Sequence, residues 1–389
     1  MVAMSVVPLG ELVTVVMGQA PHSNDCNFEG RGTPFVKAGE FGASRPVIRE
    51  WTTSPLKLAR KSDVLLCVVG ATCGKLNLGE DCAIGRSVAA IRPAPEKLDQ
   101  FYLHYFLMTL VDRLRSGSIG AAQTVISKEM IQSVSLPWSE LSEQRRIVAV
   151  LDEAFEGIAT AKANAEKNLQ SARAVLESHL QTVFSQRGEG WEEMTLAKAT
   201  GGVFTGPFGS LLHKSDYVEN GIPLVNPAHI SNVGIDPDFR KTVSNETAQR
   251  LSSYILRVGD IVIGRRGEMG RCALVTEAED GWLCGTGSFV IKPSNRCDPR
   301  YLVRLLRSEG CKKRLEAIAG GAVMPNLSNT DLSNFSVLLP PISQQRAVLD
   351  EIDVLAEETQ RLEAVYERKL AALDELKKSL LQQAFSGQL

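Results

Sequence analysis

A chain of 389 residues, 44% hydrophobic and 23% charged, is longer than one ordinary core sustains and predicts two or more globular units. A formal net charge of -2 gives no overall basicity, so nucleic-acid binding, if present, has to come from a local basic face. No apolar run approaches the roughly 20 residues of a membrane-spanning helix, and the opening MVAMSVVPLGELVTVV lacks the basic flank and cleavage site of a secretory signal, which predicts a cytoplasmic protein.

The first globular segment is expected over residues 1–138. Its run SDVLLCVVGATCGK (Ser62 to Lys75) reads as a strand, a glycine turn and a basic residue, and DQFYLHYFLMTLVDRLRS (Asp99 to Ser116) reads as a short helix. Next comes a predicted central helix over 139–187. Its apolar positions Val148, Leu151, Phe155, Ile158, Ala165, Leu169, Ala172, Leu176 and Val183 alternate three and four apart, with Lys162 and His179 as misfits. A second globular segment, 188–340, holds GDIVIGRRGEMGR (Gly259 to Arg271) and a helix over Pro299 to Ile318. The chain closes on a C-terminal helix, 341–389. There Val348, Ile352, Leu355, Leu362, Tyr366, Leu373, Leu376 and Leu380 mark the seam, with Thr359 and Lys369 out of pattern.

These segments repeat one another. SEQRRIVAVLDE from Ser142 returns as SQQRAVLDEIDV from Ser343, and the register persists to LQTVFS (Leu180 to Ser185) against LQQAFS (Leu381 to Ser386). A period of about 200 residues means a duplicated domain and not a solenoid array. The fold expected is therefore α+β: two similar mixed α/β domains, related as a pseudo-twofold internal repeat and joined by two long helices that form an antiparallel coiled coil. A narrow 3.5-residue seam is what such a pair requires, since a single helix of that length buries too little by itself.

Catalytic apparatus is present only in fragments. GATCGK (Gly70 to Lys75) is one residue short of a phosphate loop and is followed by Leu76 where a magnesium-binding hydroxyl is needed. NPAH (Asn226 to His229) and DPDF (Asp236 to Phe239) lack the second proline of a base-flipping methyltransferase loop, and ERK (Glu367 to Lys369) lies on the long helix without upstream acids. The eight cysteines form no C-x-x-C pair, and the five histidines stand singly, so neither zinc nor another metal site is expected. A chain of this kind is expected to bind something at two places. Duplex DNA, whose groove faces recur about every 34 Å, is the natural target.

The whole pattern resembles one family. LPPISQQRAVLDEIDVLAEETQRL leading to SLLQQAFSGQL, its central copy LSEQRRIVAVLDEAFEGI, the opening GVFTGPFGSLLHKSDYVENGIPLVNPAHI and the turn GDIVIGRRGEMG are similar to the specificity subunit of type I restriction-modification systems. The resemblance implies two target-recognition domains, each reading half of a split, asymmetric DNA sequence, and a coiled coil that sets the unread spacer. It also implies a non-catalytic chain with no cofactor of its own. Two modification (methyltransferase) subunits would bring S-adenosylmethionine, and two restriction subunits would bring ATP and magnesium. The alternatives are a self-contained DNA adenine methyltransferase or a structural coiled-coil scaffold. The first domain departs from the second in having GQAPHSND (Gly18 to Asp25) where the second has GPFGS (Gly206 to Ser210).

DNA contact is expected from Lys75 and Arg271, which follow equivalent glycine turns, from Arg265 and Arg266 beside the second turn, and from Arg86 and Lys214 in loop-like context. Lys37, Arg45 and Asn226 are candidates on the same loop-like context as Arg86 and Lys214. Gln144, Arg145, Gln345 and Arg346, repeated at the start of both long helices and off the apolar seam, are expected to dock a partner, with Ser142 and Ser343 as helix caps.

Overall fold

The strands expected from DVLLCVV and DIVIG lie at the centre of the architecture. In the computed structural model, residues 5–116, 125–207, 211–231, 233–320 and 325–389 are described. Contacts divide the chain into two units, Met1–Lys167 with Tyr366–Leu389, and Asn168–Val365.

The first unit begins with β1 (Ser5–Pro8), β2 (Val13–Met17), β3 (Cys26–Asn27), β4 (Thr33–Val36) and β5 (Glu50–Thr52). It continues through β6 (Leu58–Ala59), β7 (Val64–Cys67), β8 (Leu76–Leu78), β9 (Cys82–Ile84) and β10 (Val88–Pro93). Then follow α1 (Gln100–Ser116), α2 (Lys128–Gln132), β11 (Ser135–Trp138) and the first part of α3 (Leu141–Ser185). An antiparallel sheet in the order β2-β10-β7-β8 stands beside a five-stranded sheet, β3-β5-β4-β9-β6, in which β4 and β9 are parallel, and β1 pairs with β11.

β7 shows why its sequence does not alternate. Val64 and Leu66 join the large core with α1, while Leu65 and Cys67 enter the smaller core under the five-stranded sheet. β10 does the same with Ala89 and Ile91 against Val88 and Ala90. A strand covered on both faces has no polar side to show.

The second unit repeats the plan. It runs β12 (Glu192–Thr195), α4 (Leu196–Ala199), β13 (Val203–Thr205), β14 (Tyr217–Val218), β15 (Ile222–Val225), β16 (Thr242–Val243) and α5 (Asn245–Arg250). After them come β17 (Ile261–Gly264), β18 (Cys272–Leu274), β19 (Leu283–Cys284), β20 (Ser288–Ile291), α6 (Pro299–Arg307), α7 (Glu309–Ile318), α8 (Asn329–Ser333), β21 (Ser336–Leu339) and α9 (Ile342–Phe385). The sheets are β13-β20-β17-β18, β14-β16-β15-β19 with β15 and β19 parallel, and β12-β21. Ile261 and Ile263 face one core and Val262 the other, as in β7.

One expected helix is broken. The stretch from Pro299 to Ile318 divides at Ser308, which is extended (φ -63, ψ 146) and caps α7 by accepting a hydrogen bond from the Cys311 amide. A serine that can satisfy an orphan amide favours a new start over continuation.

The two long helices hold a strict heptad. On α9 the inward positions are Gln345, Leu349, Ile352, Ala356, Thr359, Glu363, Tyr366, Leu370, Leu373, Lys377, Leu380 and Ala384, all buried or half-buried. This corrects the expected seam, which shifts by one residue at Val348 and Leu355 and leaves Leu362 and Leu376 43% and 46% exposed. Apolarity alone misassigned them, because a 3.5-residue period counted from Ile352 reaches Thr359, Glu363 and Lys377 instead. On α3 the misfits Lys162 and His179 stand in the seam. Lys162 reaches Asp374 at 2.7 Å within the first unit, and His179 lies 3.5 Å from Glu351 within the second. In each unit one helix end packs on the globular part through the repeated phenylalanine. Phe385 meets Tyr102 at 5.0 Å between ring centroids, and Phe184 meets Tyr301 at 5.5 Å.

His104 of α1 is mostly buried, and its Nδ1 has no hydrogen-bond partner. Burial, reinforced by Lys377, pushes its pKa down to about 4 from an ordinary 6.5. Below pH 6.5 the unfolded chain therefore binds a proton that the folded chain refuses. Stability should fall as pH drops from 6.5 toward 4, by on the order of 2 kcal/mol from this residue. Urea titrations across that range should show a shallower pH dependence in His104→Phe; an unchanged dependence would assign the loss to other groups.

Candidate nucleic-acid interface

In each unit the turn after the central strand is built from glycines with positive φ, Gly70 (87) and Gly74 (89) in the first, Gly267 (82) and Gly270 (75) in the second. The turn closes identically in both, because the Cys67 amide donates to the Lys75 carbonyl at 2.8 Å and the Gly264 amide to the Arg271 carbonyl at 2.8 Å. The basic side chain that follows reaches toward the short 3-10 turn after the parallel strand. Lys75 Nζ donates to the Phe41 carbonyl at 2.7 Å. Arg271 donates to Glu268 at 2.7 Å and to the Pro227 carbonyl at 3.4 Å. Both cations thus tie the glycine turn to that 3-10 turn, and Glu268 offsets the charge of Arg271.

The remaining candidates divide by exposure. Arg265 is half-buried with its guanidinium 5.5 Å from the Phe289 ring centre, and burial beside Arg266 lowers its pKa. Arg266 is exposed, with Nε 3.3 Å from Asn326 Oδ1. Arg86 and Lys214 are exposed, and neither forms an ion pair among the described residues. Lys37 pairs with Glu50, Arg45 donates to the Gly79 carbonyl, and Asn226 precedes the 3-10 turn Pro227–His229. Of the GPFGS stretch, residues 208–210 lie outside the described residues.

The glutamines at the helix starts differ from expectation. Gln144 and Gln345 are fully buried, not exposed. Gln144 Nε2 donates to the carbonyls of Lys97 (2.9 Å) and Ser139 (2.7 Å), and its Oε1 accepts from the Asp99 amide at 2.8 Å. Gln345 makes the same three bonds, to Arg296 (3.0 Å), Pro340 (2.8 Å) and from Asp298 (2.8 Å). A carboxamide is the one side chain that can donate twice and accept once here. Arg145 and Arg346 stay 69% and 68% exposed, each 3.9 Å from the aspartate of that same loop. Nor do Ser142 and Ser343 cap the helices. The first helical bonds run from Gln144 to the Glu140 carbonyl and from Gln345 to the Pro341 carbonyl, which places the caps at Glu140 and Pro341.

Other residues escaped the sequence reading. Asp63 and Asp260, the aspartates of SDVLL and GDIVI, are buried and paired with Arg92 on β10 and with Lys292 just past β20, and their repetition was the available signal. Phe28 is 78% exposed on a turn clasped by Asn27, whose Oδ1 accepts from the amides of Glu29 (3.1 Å) and Arg31 (3.0 Å). Among the described residues no group of three or more metal-ligating side chains converges, and no helix is long and apolar enough to cross a membrane. Seven of the eight cysteines are buried; Cys82, Cys272, Cys284 and Cys297 have pKa values pushed up to about 12, chiefly by burial.

This arrangement has known counterparts. The type I restriction modification DNA specificity domain matches twice, over residues 1–169 and 189–369. The MjaVIII specificity subunit of Methanocaldococcus jannaschii is 24% identical, across 85% of this chain and 80% of its own. The EcoBI specificity subunit of Escherichia coli is 20% identical across 80% of this chain and 70% of its own. A chain from a structural study of complex assembly and conformational transition in the type I R-M system shares the fold at a TM-score of 0.81, 18% identical, covering 100% of this chain and 99% of that one. The HsdS subunit from Thermoanaerobacter tengcongensis shares it at 0.65, 18% identical, over 99% and 97%. With the duplicated fold in place and both halves matched, the chain belongs to the type I restriction-modification DNA specificity family, the non-catalytic recognition subunits of those systems.

Proposed function

We propose that this chain reads a split, asymmetric duplex target, one half with residues 1–138 and the other with 188–340, while the helices at 139–187 and 341–389 set the unread gap. One observation carries this reading: the same central sheet order, β2-β10-β7-β8 and β13-β20-β17-β18, is built twice with different side chains on equivalent turns, Arg86 where the second unit has Thr286, and Lys75 where it has Arg271. A duplicated frame with unlike surfaces suits two unlike half-sites. Lys75, Arg86, Lys214, Arg265, Arg266 and Arg271 would supply the basic contacts, and the gap would be about one helical turn. Arg145 and Arg346, exposed at equivalent places, would face two copies of a modification subunit, with Gln144 and Gln345 shaping that site from beneath. S-adenosylmethionine would sit on those subunits, and ATP with magnesium on two restriction subunits, in a cytoplasmic complex.

Expression with the neighbouring modification subunit in a methylation-free host, followed by mapping of modified bases, tests this directly. One motif of two short defined halves around an undefined gap is the expected result; a continuous site would sink the split reading. In the same assay, changing Arg265 and Arg266 together to alanine should reduce modification about tenfold through loss of selectivity in one half only. Equal loss at both halves would argue against modular recognition.

A further inference from the structure

We infer that Gln144 and Gln345 are specificity-positioning residues. Each is the clamp that fixes a reading domain on the first turn of its long helix, and so fixes the length of the gap between half-sites. The inference rests on the split-target reading and deepens it.

The clamp is the same object in both units. Each glutamine is the fourth residue of its helix, at the close of the first turn, and is fully buried. It binds two segments of the globular part at once: the residues just before the domain helix (Lys97 and Asp99, or Arg296 and Asp298) and the strand exit (Ser139 or Pro340). Further bonds stiffen the joint in the first unit, where Trp138 Nε1 donates to the Lys97 carbonyl at 2.9 Å and Tyr102 donates to the Pro137 carbonyl at 2.6 Å. Neither glutamine touches a surface that DNA could reach, since both are fully buried. Their effect on recognition can only pass through geometry. A joint with three bonds to one rigid amide holds an angle; the same joint without it keeps the chain connection and loses the orientation.

The test uses the full chain with its modification subunit and a library of targets whose two halves are held constant while the gap is one base pair shorter, native, or one longer. The wild type should strongly prefer one gap. Gln144→Ala and Gln345→Ala should each reduce that preference about tenfold, with the bases required in both halves unchanged. Gln144→Glu keeps the acceptor for the Asp99 amide but loses both donors, and should relax the gap partially; it serves if the alanine variant does not fold. Ile131→Ala, a buried core change elsewhere in the same unit, should lower the melting temperature without altering the gap. An unchanged gap preference in folded clamp variants overturns the inference, as does a change in the half-site bases. A wild type that shows no preferred gap overturns the split-target reading itself, a result distinguishable from failure of the clamp alone.

Discussion

Asp63→Ala is expected to destabilise the first unit by about 3–5 kcal/mol, the cost of breaking a buried ion pair and stranding its partner. The side chain is 0% exposed. Its two oxygens take a fork from Arg92, Nε and Nη2 each at 2.8 Å, and one of them also accepts the Arg60 amide at 2.9 Å. The same residue's carbonyl receives the Gly79 amide and the Gln100 side chain, so the start of β7 is organised around a single position. Asp260→Ala should cost less. Lys292 offers a single contact at 2.6 Å from a side chain 33% exposed, and the freed ammonium can reach water, whereas Arg92 is 22% exposed. Urea unfolding of the full chain, with hydrogen exchange to assign the loss to a unit, measures both. The pair Asp63→Leu with Arg92→Met should recover most of the loss, because the penalty belongs to the unpaired charge and not to the absence of the bridge. A loss below about 1 kcal/mol for the single change would mean that the pair behaves as a surface contact.

How much of this was legible depended on whether chemistry or geometry set the residue. The duplication, the doubly buried strands and the two helices follow from apolar pattern and could be read directly. The buried pairs left a trace, the aspartate of SDVLL and GDIVI, but a repeated acid beside a strand does not announce its partner, which is fixed by strand order. The glutamines were harder. Gln144 and Gln345 are polar in a polar run, and polarity reads as exposure; only the carbonyls of Lys97 and Arg296, brought close by the fold, turn them inward. Leu362 and Leu376 fail in the opposite sense, apolar residues passed over because the supercoil keeps its period at the expense of composition. Among the basic residues the sequence could name the glycine turn before Lys75 and the loop-like context of Arg86, but not the direction of either side chain. The structure gives the first a carbonyl to brace and leaves the second exposed.

Gly18→Ala and Gly206→Ala should each cost about 3 kcal/mol or more, at or above the upper end of what overpacking usually costs. The two glycines open segments that otherwise differ, GQAPHSND and GPFGS, yet they occupy one place in the repeated frame. The Gly18 amide donates to the Val88 carbonyl at 2.9 Å and the Gly206 amide to the Ser288 carbonyl at 3.0 Å. A methyl group on Gly18 would overlap the carbonyl oxygens of Gly85 and Val88, and one on Gly206 would overlap that of Gly285. These obstacles are backbone, so no rotamer change relieves them. Gly39→Ala is the control, with nothing near its would-be methyl group and an ordinary backbone conformation, and it should stay within about 0.5 kcal/mol of the wild type. Thermal unfolding of the three variants decides the matter; similar melting temperatures would show that the close approach imposes no constraint. The approach also places the loops on which the halves differ, since Gly85 leads directly into the exposed Arg86 and Gly285 into Thr286. If those loops read DNA, the glycine variants that remain folded should each impair one half of the target and spare the other, tying a steric rule shared by both units to the bases that distinguish them.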